Sequence, residues 1–282
     1  MRVLVFGATG LLGRALMQEW HGDEVRGLGS RDADIRSPQQ VESVVARHRP
    51  DWIVLAAAYT DVDGCETNRD LAFEVNCTGA ANVARASVAA GSKLIFLSTD
   101  YVFDGSKGHP YETNDPICPQ SVYGKTKAAA EEEIRKISPR ACILRTSWVF
   151  GVGGKCFPDT ILRLAGSRES LDVVDDQRGS PTYTIDLARA IIELCRKDSS
   201  GIVHATNSGD CTWFDFAQRI VADAGLKTRV LPTTTDRFPR PAPRPKYSVL
   251  SLSSLQPYGI GMPSWQDALA RYLKEREGQS RS

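Results

Sequence analysis

Tyr123 and Lys127 stand four residues apart in the run Tyr123-Gly-Lys-Thr-Lys127. If that run is helical, the two side chains leave the same face, a phenol beside an ammonium. About two dozen residues earlier, a strand-like segment ends in Ser98-Thr99-Asp100 and supplies a hydroxyl to face them. A phenol, a cation and a hydroxyl together can move a proton to or from a sugar or carbonyl oxygen. A free tyrosine has a pKa of about 10, and proton transfer is best served by a group titrating near the working pH. A downward shift of about three units corresponds to roughly 4 kcal/mol. A lysine cation at about 4 Å supplies that order of energy at an effective dielectric near 20. The residues therefore predict that Lys127 draws the Tyr123 phenol downward, while Lys125 points elsewhere into solvent.

A proton moved to a carbonyl carbon's oxygen calls for a hydride moved to the carbon, and the chain begins with a segment suited to a hydride carrier. Gly7-Ala-Thr-Gly10-Leu11-Leu12-Gly13 follows an apolar, β-branched run at 2–6 and precedes a helical stretch at 11–20. Glycines there permit a tight turn and close backbone approach, and the helix start offers unpaired N–H groups to a pyrophosphate. The tip of the second strand discriminates the cofactor, an acid binding a ribose 2′-hydroxyl and an arginine accommodating a 2′-phosphate. Ser30 and Arg31 fall at that tip, which favours NADPH, while Asp32 and Asp34 keep NADH open.

These groups need a scaffold. Strand patterns at 2–6, 24–28, 52–58, 93–99 and 141–149 alternate with helical patterns at 11–20, from Ser37-Pro38, at 71–90 and at 121–136. This rhythm predicts an α/β fold, a Rossmann-type doubly wound parallel sheet with right-handed crossovers. The rhythm loosens after Gly151: strands are expected at 171–174 and 201–205, helices at 185–196, from Thr212 and at 264–275, and a loop at the proline-rich 239–245. The expected division is 1–150, with about 171–200 returning to it, against a smaller, discontinuous α/β part within 151–282.

Composition narrows the classes of function. Thirty-five basic and thirty-four acidic residues give a net charge of +1, without the basic excess of a nucleic-acid binder. No run approaches the roughly 18 apolar residues of a membrane span, and the N-terminal apolar stretch reads as a strand, so a cytoplasmic protein is expected. Seven cysteines without a CxxC pair and four scattered histidines suggest reduced thiols and no metal site.

Tyr123 and Lys127 have the YxxxK spacing of short-chain dehydrogenases/reductases. The chain resembles one extended branch of them, the dTDP-4-dehydrorhamnose reductase family. The resemblance rests on GATGLLG (7–13), Asp34-Ile35, AAAYTDVDGCE (56–66), STDYVFDG (98–105), PQSVYGKTKAAAE (119–131), RTSWVFG (145–151), GSPTY (179–183), TWFDFA (212–217) and RPKYSVLS (244–251). The STDYVFDG and RTSWVFG pieces are the specific ones.

The resemblance implies reduction of the C4 ketone of dTDP-4-dehydro-L-rhamnose with NADPH or NADH. It implies that Gly10, Leu11 and Leu12 lie along the cofactor phosphates, that Asp34 and Ile35 flank the adenine, and that Ala56, Ala57 and Ala58 line the cofactor. Thr99 would take the place of the serine of the short-chain dehydrogenase triad, with Asp100 and Trp148 beside the sugar nucleotide; Tyr123 would donate the proton and Lys127 hold the ribose. Asp100 is followed by Tyr101 and not by the second acid of a 4,6-dehydratase. A 4-epimerase, another nucleotide-sugar reductase, or a non-catalytic partner like the regulatory subunit of methionine adenosyltransferase are the alternatives. Some family members hold a metal through acids at a dimer contact; no such cluster maps here, so no metal is expected, while a homodimer stays open. Glu131–Glu133 read as a solvated face, Arg240 and Arg244 as solvated or set against a diphosphate, and Trp213 and Phe214 as possible core.

Overall fold

Short apolar runs broken by glycine and polar turns give the chain its first five strands. In the computed structural model, which describes residues 1–280, β1 (Arg2–Phe6) leads through the glycine turn into α1 (Leu11–Glu19), followed by β2 (Glu24–Leu28) and α2 (Pro38–His48). The Ser37 hydroxyl caps α2 by accepting from the Gln40 N–H, with Pro38 at the first helical position. Next come β3 (Trp52–Leu55), α3 (Val62–Thr67), α4 (Arg69–Phe73), a π-helical turn at Glu74–Gly79, α5 (Ala80–Ala89), β4 (Lys93–Thr99), α6 (Val122–Ile137) and β5 (Cys142–Thr146).

The second half contains β6 (Val149–Phe150), α7 (Phe157–Ala165), β7 (Ser170–Val174), β8 (Arg178–Gly179), β9 (Thr182–Tyr183) and α8 (Thr184–Arg196). It continues with β10 (Gly201–His204), β11 (Cys211–Thr212), α9 (Trp213–Asp223), β12 (Arg229–Thr233) and α10 (Trp265–Ser280).

Six strands form one parallel sheet in the order β10-β5-β4-β3-β1-β2. Successive residues of β1 point to opposite faces: Val3 and Val5 pack towards α1 and α8, Leu4 and Phe6 towards α2 and α5. Burial on both faces is why these strands read as continuous apolar runs. The order reverses direction between β1 and β3, and the crevice beyond the carboxyl ends of strands at such a switch point is where ligands bind in this architecture.

Several boundaries depart from expectation. β3 stops at Leu55, so Ala56–58 run as irregular chain beside the crevice, and β5 stops at Thr146. The expected helix at 71–90 is interrupted by the π turn. The strand expected at 171–174 joins β12 in a separate two-stranded sheet, whereas β10 returns to the large one. Beyond β5, an aromatic cluster of Phe150, Tyr183, Phe216 and Tyr272 ties the smaller sheets to α9 and α10.

Candidate active site

A cavity of about 900 Å³ follows the carboxyl edge of the sheet, from the glycine turn to Trp148. Gly7 has φ +90, and a Cβ there would meet the Ala57 amide nitrogen at 2.5 Å. A Cβ at Gly13 would stand 2.1 Å from the Gly7 carbonyl oxygen. Both positions require glycine, because the turn presses against β3's continuation and against itself. The turn delivers Gly10 to the start of α1 with no side-chain cap and no acid in the first turn. Gly10, Leu11, Leu12 and Gly13 all line the cavity, so the uncapped N–H groups and the positive end of α1 face open space. This cradle fits a pyrophosphate.

Farther along, Ala33, Asp34, Ile35 and Arg36 line the cavity with Ser30. Asp34 takes a forked ion pair from Arg36 at 2.6 Å, which holds its carboxyl below the usual range. Arg31 is exposed and lies outside the lining. Arg36, which sequence reasoning passed over, stands at the rim instead, and its place beside Asp34-Ile35 was the available signal.

The chemical end is built by β4 and α6. Ser121 caps α6 by accepting from the Gly124 N–H at 3.1 Å, and Glu66 accepts from the Val122 N–H at 2.8 Å. Gly124 lets the helix lie against the chain after β4: a Cβ there would be 2.3 Å from the Tyr101 carbonyl oxygen. That close approach sets Tyr123 on the same cavity wall as Thr99. The Thr99 hydroxyl donates to Asp100 Oδ1 at 3.0 Å and accepts from the Tyr101 N–H at 3.2 Å. The Tyr101 ring meets the Tyr123 ring edge-on at 5.8 Å.

Electrostatics here correct one expectation. Burial first, then the nearby Asp100 carboxylate, push the Tyr123 phenol above its ordinary value; Lys127 does not draw it down. Lys127 is itself buried, and loss of water lowers its pKa to about 7, against the pull of Glu131. Its Nζ lies 4.0 Å over the Phe96 ring. Burial raises Asp100 to about 6, with Ser248 and Thr99 pulling the other way. Asp100 Oδ2 and Thr146 Oγ1 are buried without a hydrogen-bond partner among the described residues, and both residues border the cavity.

Trp148 closes this end. Its backbone is left-handed at φ +47, an uncommon state for a bulky residue that surrounding packing must hold. Its indole stacks on Trp213 with centroids 3.5 Å apart and planes within 6°. Gly179 makes room beneath, since a Cβ there would meet the indole at 2.6 Å. Trp213 thus backs the cavity wall.

Apart from Arg31, every residue expected at the site borders one cavity: Gly7, Gly10–Gly13, Asp34, Ile35, Ala56–58, Thr99, Asp100, Tyr123, Lys127 and Trp148. One expectation outside it is corrected. Glu131 is not part of a solvated face; it is 2% exposed and ion-paired to Arg145 at 2.6 Å. Arg240 is 61% exposed, in keeping with the solvated reading, and Arg244 is largely covered; both pair with Asp63, at 2.8 and 3.0 Å.

A family model described as the RmlD substrate binding domain matches residues 1–277. The chain belongs to that family. The RmlD-family chain is 43% identical over 277 residues to the spore coat polysaccharide biosynthesis protein SpsK of Bacillus subtilis, covering 98% of each. It is 41% identical to the dTDP-4-dehydrorhamnose reductase of Mycobacterium tuberculosis, covering 96% of this chain and 92% of that one. Among solved structures, it matches dTDP-4-dehydrorhamnose reductase from Bacillus anthracis in complex with NADP at a TM-score of 0.95, with 40% identity and 97% and 99% of the two chains covered. The resemblance and the fold expected from the sequence are thereby borne out.

Proposed function

We propose that this protein reduces the C4 ketone of dTDP-4-dehydro-L-rhamnose to dTDP-L-rhamnose, using NADPH with NADH as an alternative donor. The observation that carries the reading is that Thr99, Tyr123 and Lys127 border one cavity whose other end is a glycine-built anion cradle, in a chain 41% identical to a reductase of that name. The nicotinamide, when bound, supplies the hydride. Gly10, Leu11 and Leu12 would hold its phosphates, and Ala56–58 its length.

The chain's own residues handle the proton. A phenol held above its ordinary pKa stays protonated at neutral pH, as a donor to a ketone oxygen must. Thr99, on the same cavity wall as that phenol, would orient the oxygen. Lys127, on the same helix face, would hold the ribose and supply positive charge where negative charge develops. Trp148, backed by Trp213, would seat the sugar nucleotide from the side of the smaller part, which we assign to 151–282 with α8 and β10 returned to the nucleotide half. The proposal includes a cytoplasmic location, consistent with seven free cysteines, and a homodimer, to be read by sedimentation. Among the described residues no helix is long and apolar enough to cross a membrane.

The test is oxidation of NADPH by the purified protein with dTDP-4-dehydrorhamnose. Turnover is expected; tight NADP binding without turnover would point to a non-catalytic partner protein instead. Tyr123→Phe is expected to lower turnover at least about a hundredfold with cofactor binding retained, and near-full activity in that variant would remove Tyr123 as the donor.

A further inference from the structure

Four hydroxyl-bearing residues gather at the carboxyl ends of β4 and β5, and all of them border the cavity: Ser98, Thr99, Thr146 and Ser147. Three of these hydroxyls spend their proton inside the protein. Ser98 donates to Glu131 Oε1 at 2.5 Å, Thr99 to Asp100 Oδ1 at 3.0 Å, and Ser147 to the Ser180 carbonyl at 2.7 Å. Thr146 is the exception. Its side chain is 8% exposed, and its Oγ1 is buried without a hydrogen-bond partner among the described residues. Folded proteins pair their buried hydroxyls, because an unpaired one is costly. On a cavity wall, the group that pairs it belongs to a ligand.

Strand register indicates which part of the ligand that is. Thr146 of β5 is the partner of Thr99 of β4. Two residues earlier on each strand, Leu97 and Leu144 pack into the same core, so the two threonines leave the same face of the sheet. Neighbouring strands stand about 4.8 Å apart. A sugar ring whose ketone oxygen is oriented by Thr99 therefore meets Thr146 with the substituent of the next ring carbon. Asp100 Oδ2, also buried without a partner, adds an acceptor beside Thr99. A donor and an acceptor together suit a hydroxyl, which can use both. Trp148 follows two residues after Thr146, whereas the phosphate cradle lies at the other end of the cavity, at α1. Thr146 thus stands in the substrate's part of the cavity.

We propose that Thr146 is a specificity-determining residue: it donates its hydroxyl proton to the C3 hydroxyl of the sugar, next to the C4 ketone, and Asp100 accepts from that same hydroxyl. The assignment rests on the ketone reduction proposed above. It selects sugars with a hydroxyl beside the ketone, because a sugar deoxygenated there leaves Thr146 and Asp100 buried and unpaired.

The test is calorimetric: the affinity of the NADP-bound protein for dTDP-L-rhamnose and for its 3-deoxy analogue. The parent protein is compared with Thr146→Val, which keeps the shape of the side chain and removes the hydroxyl. The parent is expected to favour dTDP-L-rhamnose at least about a hundredfold. Thr146→Val is expected to cut that ratio about tenfold, by weakening dTDP-L-rhamnose and leaving the analogue and NADP nearly unchanged. Thr146→Ser, which retains the hydroxyl, is expected to keep the parent's ratio. An unchanged ratio in Thr146→Val would overturn the proposal, as would a loss confined to NADP affinity. Should the valine fail to pack, Thr146→Ala carries the same expectation and the same overturning results. Binding is read without turnover, so a protein that discriminates the two sugars but does not oxidise NADPH overturns the reductase reading alone.

Discussion

The Asp100 carboxyl is 1% exposed, and burial raises its pKa to about 6 from 3.8. A raised acid holds an extra proton in the folded state between those values. Its contribution to stability is therefore full below about pH 4 and lost as pH rises through about 6. Asp100→Asn is expected to raise stability near pH 8 by on the order of 2 kcal/mol and to change it little near pH 4, while weakening substrate use. Denaturant midpoints at both pH values, with KM alongside, check this. Lys127 has the opposite sense: depressed to about 7 from 10.5, it makes stability rise with pH across that window.

At the cofactor rim, Arg36→Ala is expected to lower the NADPH-to-NADH ratio of kcat/KM about tenfold, and more than Arg31→Ala does, because Arg36 borders the cavity. The convergence of Tyr123, Lys127 and Thr99 on one cavity was legible because helix spacing and strand order suffice to bring them together. Glu131 was not, because its partner Arg145 lies fourteen residues on, in another element, and a buried charge looks in sequence like the exposed Glu132 and half-buried Glu133 beside it. The direction of the Tyr123 shift was missed for a related reason: spacing gives the neighbouring cation but not the depth of burial.

At the scale of elements, the π turn at Glu74–Gly79 places one buried side chain where two segments need it. Asn76 accepts from the Tyr59 N–H at 2.7 Å and donates to the Tyr59 carbonyl and to Thr126 Oγ1, at 3.1 and 3.0 Å. It thereby joins the irregular chain after β3, which borders the cavity, to α6. Asn76→Ala strands a buried amide and is expected to destabilise by about 2–4 kcal/mol. It should also raise the KM for cofactor more than it lowers kcat, a split that steady-state kinetics would reveal. The five early strands were legible as apolar runs bounded by glycine and polar residues. The π turn was not, since the residues around it read as ordinary helix. β12 was missed because Pro232 argues against a strand, although an edge in a two-stranded sheet tolerates it. The short α3 depends on Asp61 capping the Gly64 N–H at 2.9 Å and has too few residues to show a period.

Across the whole molecule, the proline-rich loop is fastened to α3 by one carboxylate. Asp63 binds Arg240 and Arg244 and also accepts from the Ala242 N–H at 3.2 Å. Asp63→Ala is expected to raise the KM for sugar nucleotide several-fold with kcat nearly unchanged, and to reduce the salt sensitivity of KM measured for the parent protein. The Trp148–Trp213 stack spans the same join, one indole following β5 and the other opening α9. Two indoles 3.5 Å apart share their electronic excitation, so the pair is a built-in chromophore dimer whose circular dichroism carries a signed couplet. That couplet is a ruler within the native chain: it reports any change in how the two parts meet, without a label and with every residue of the cavity in place.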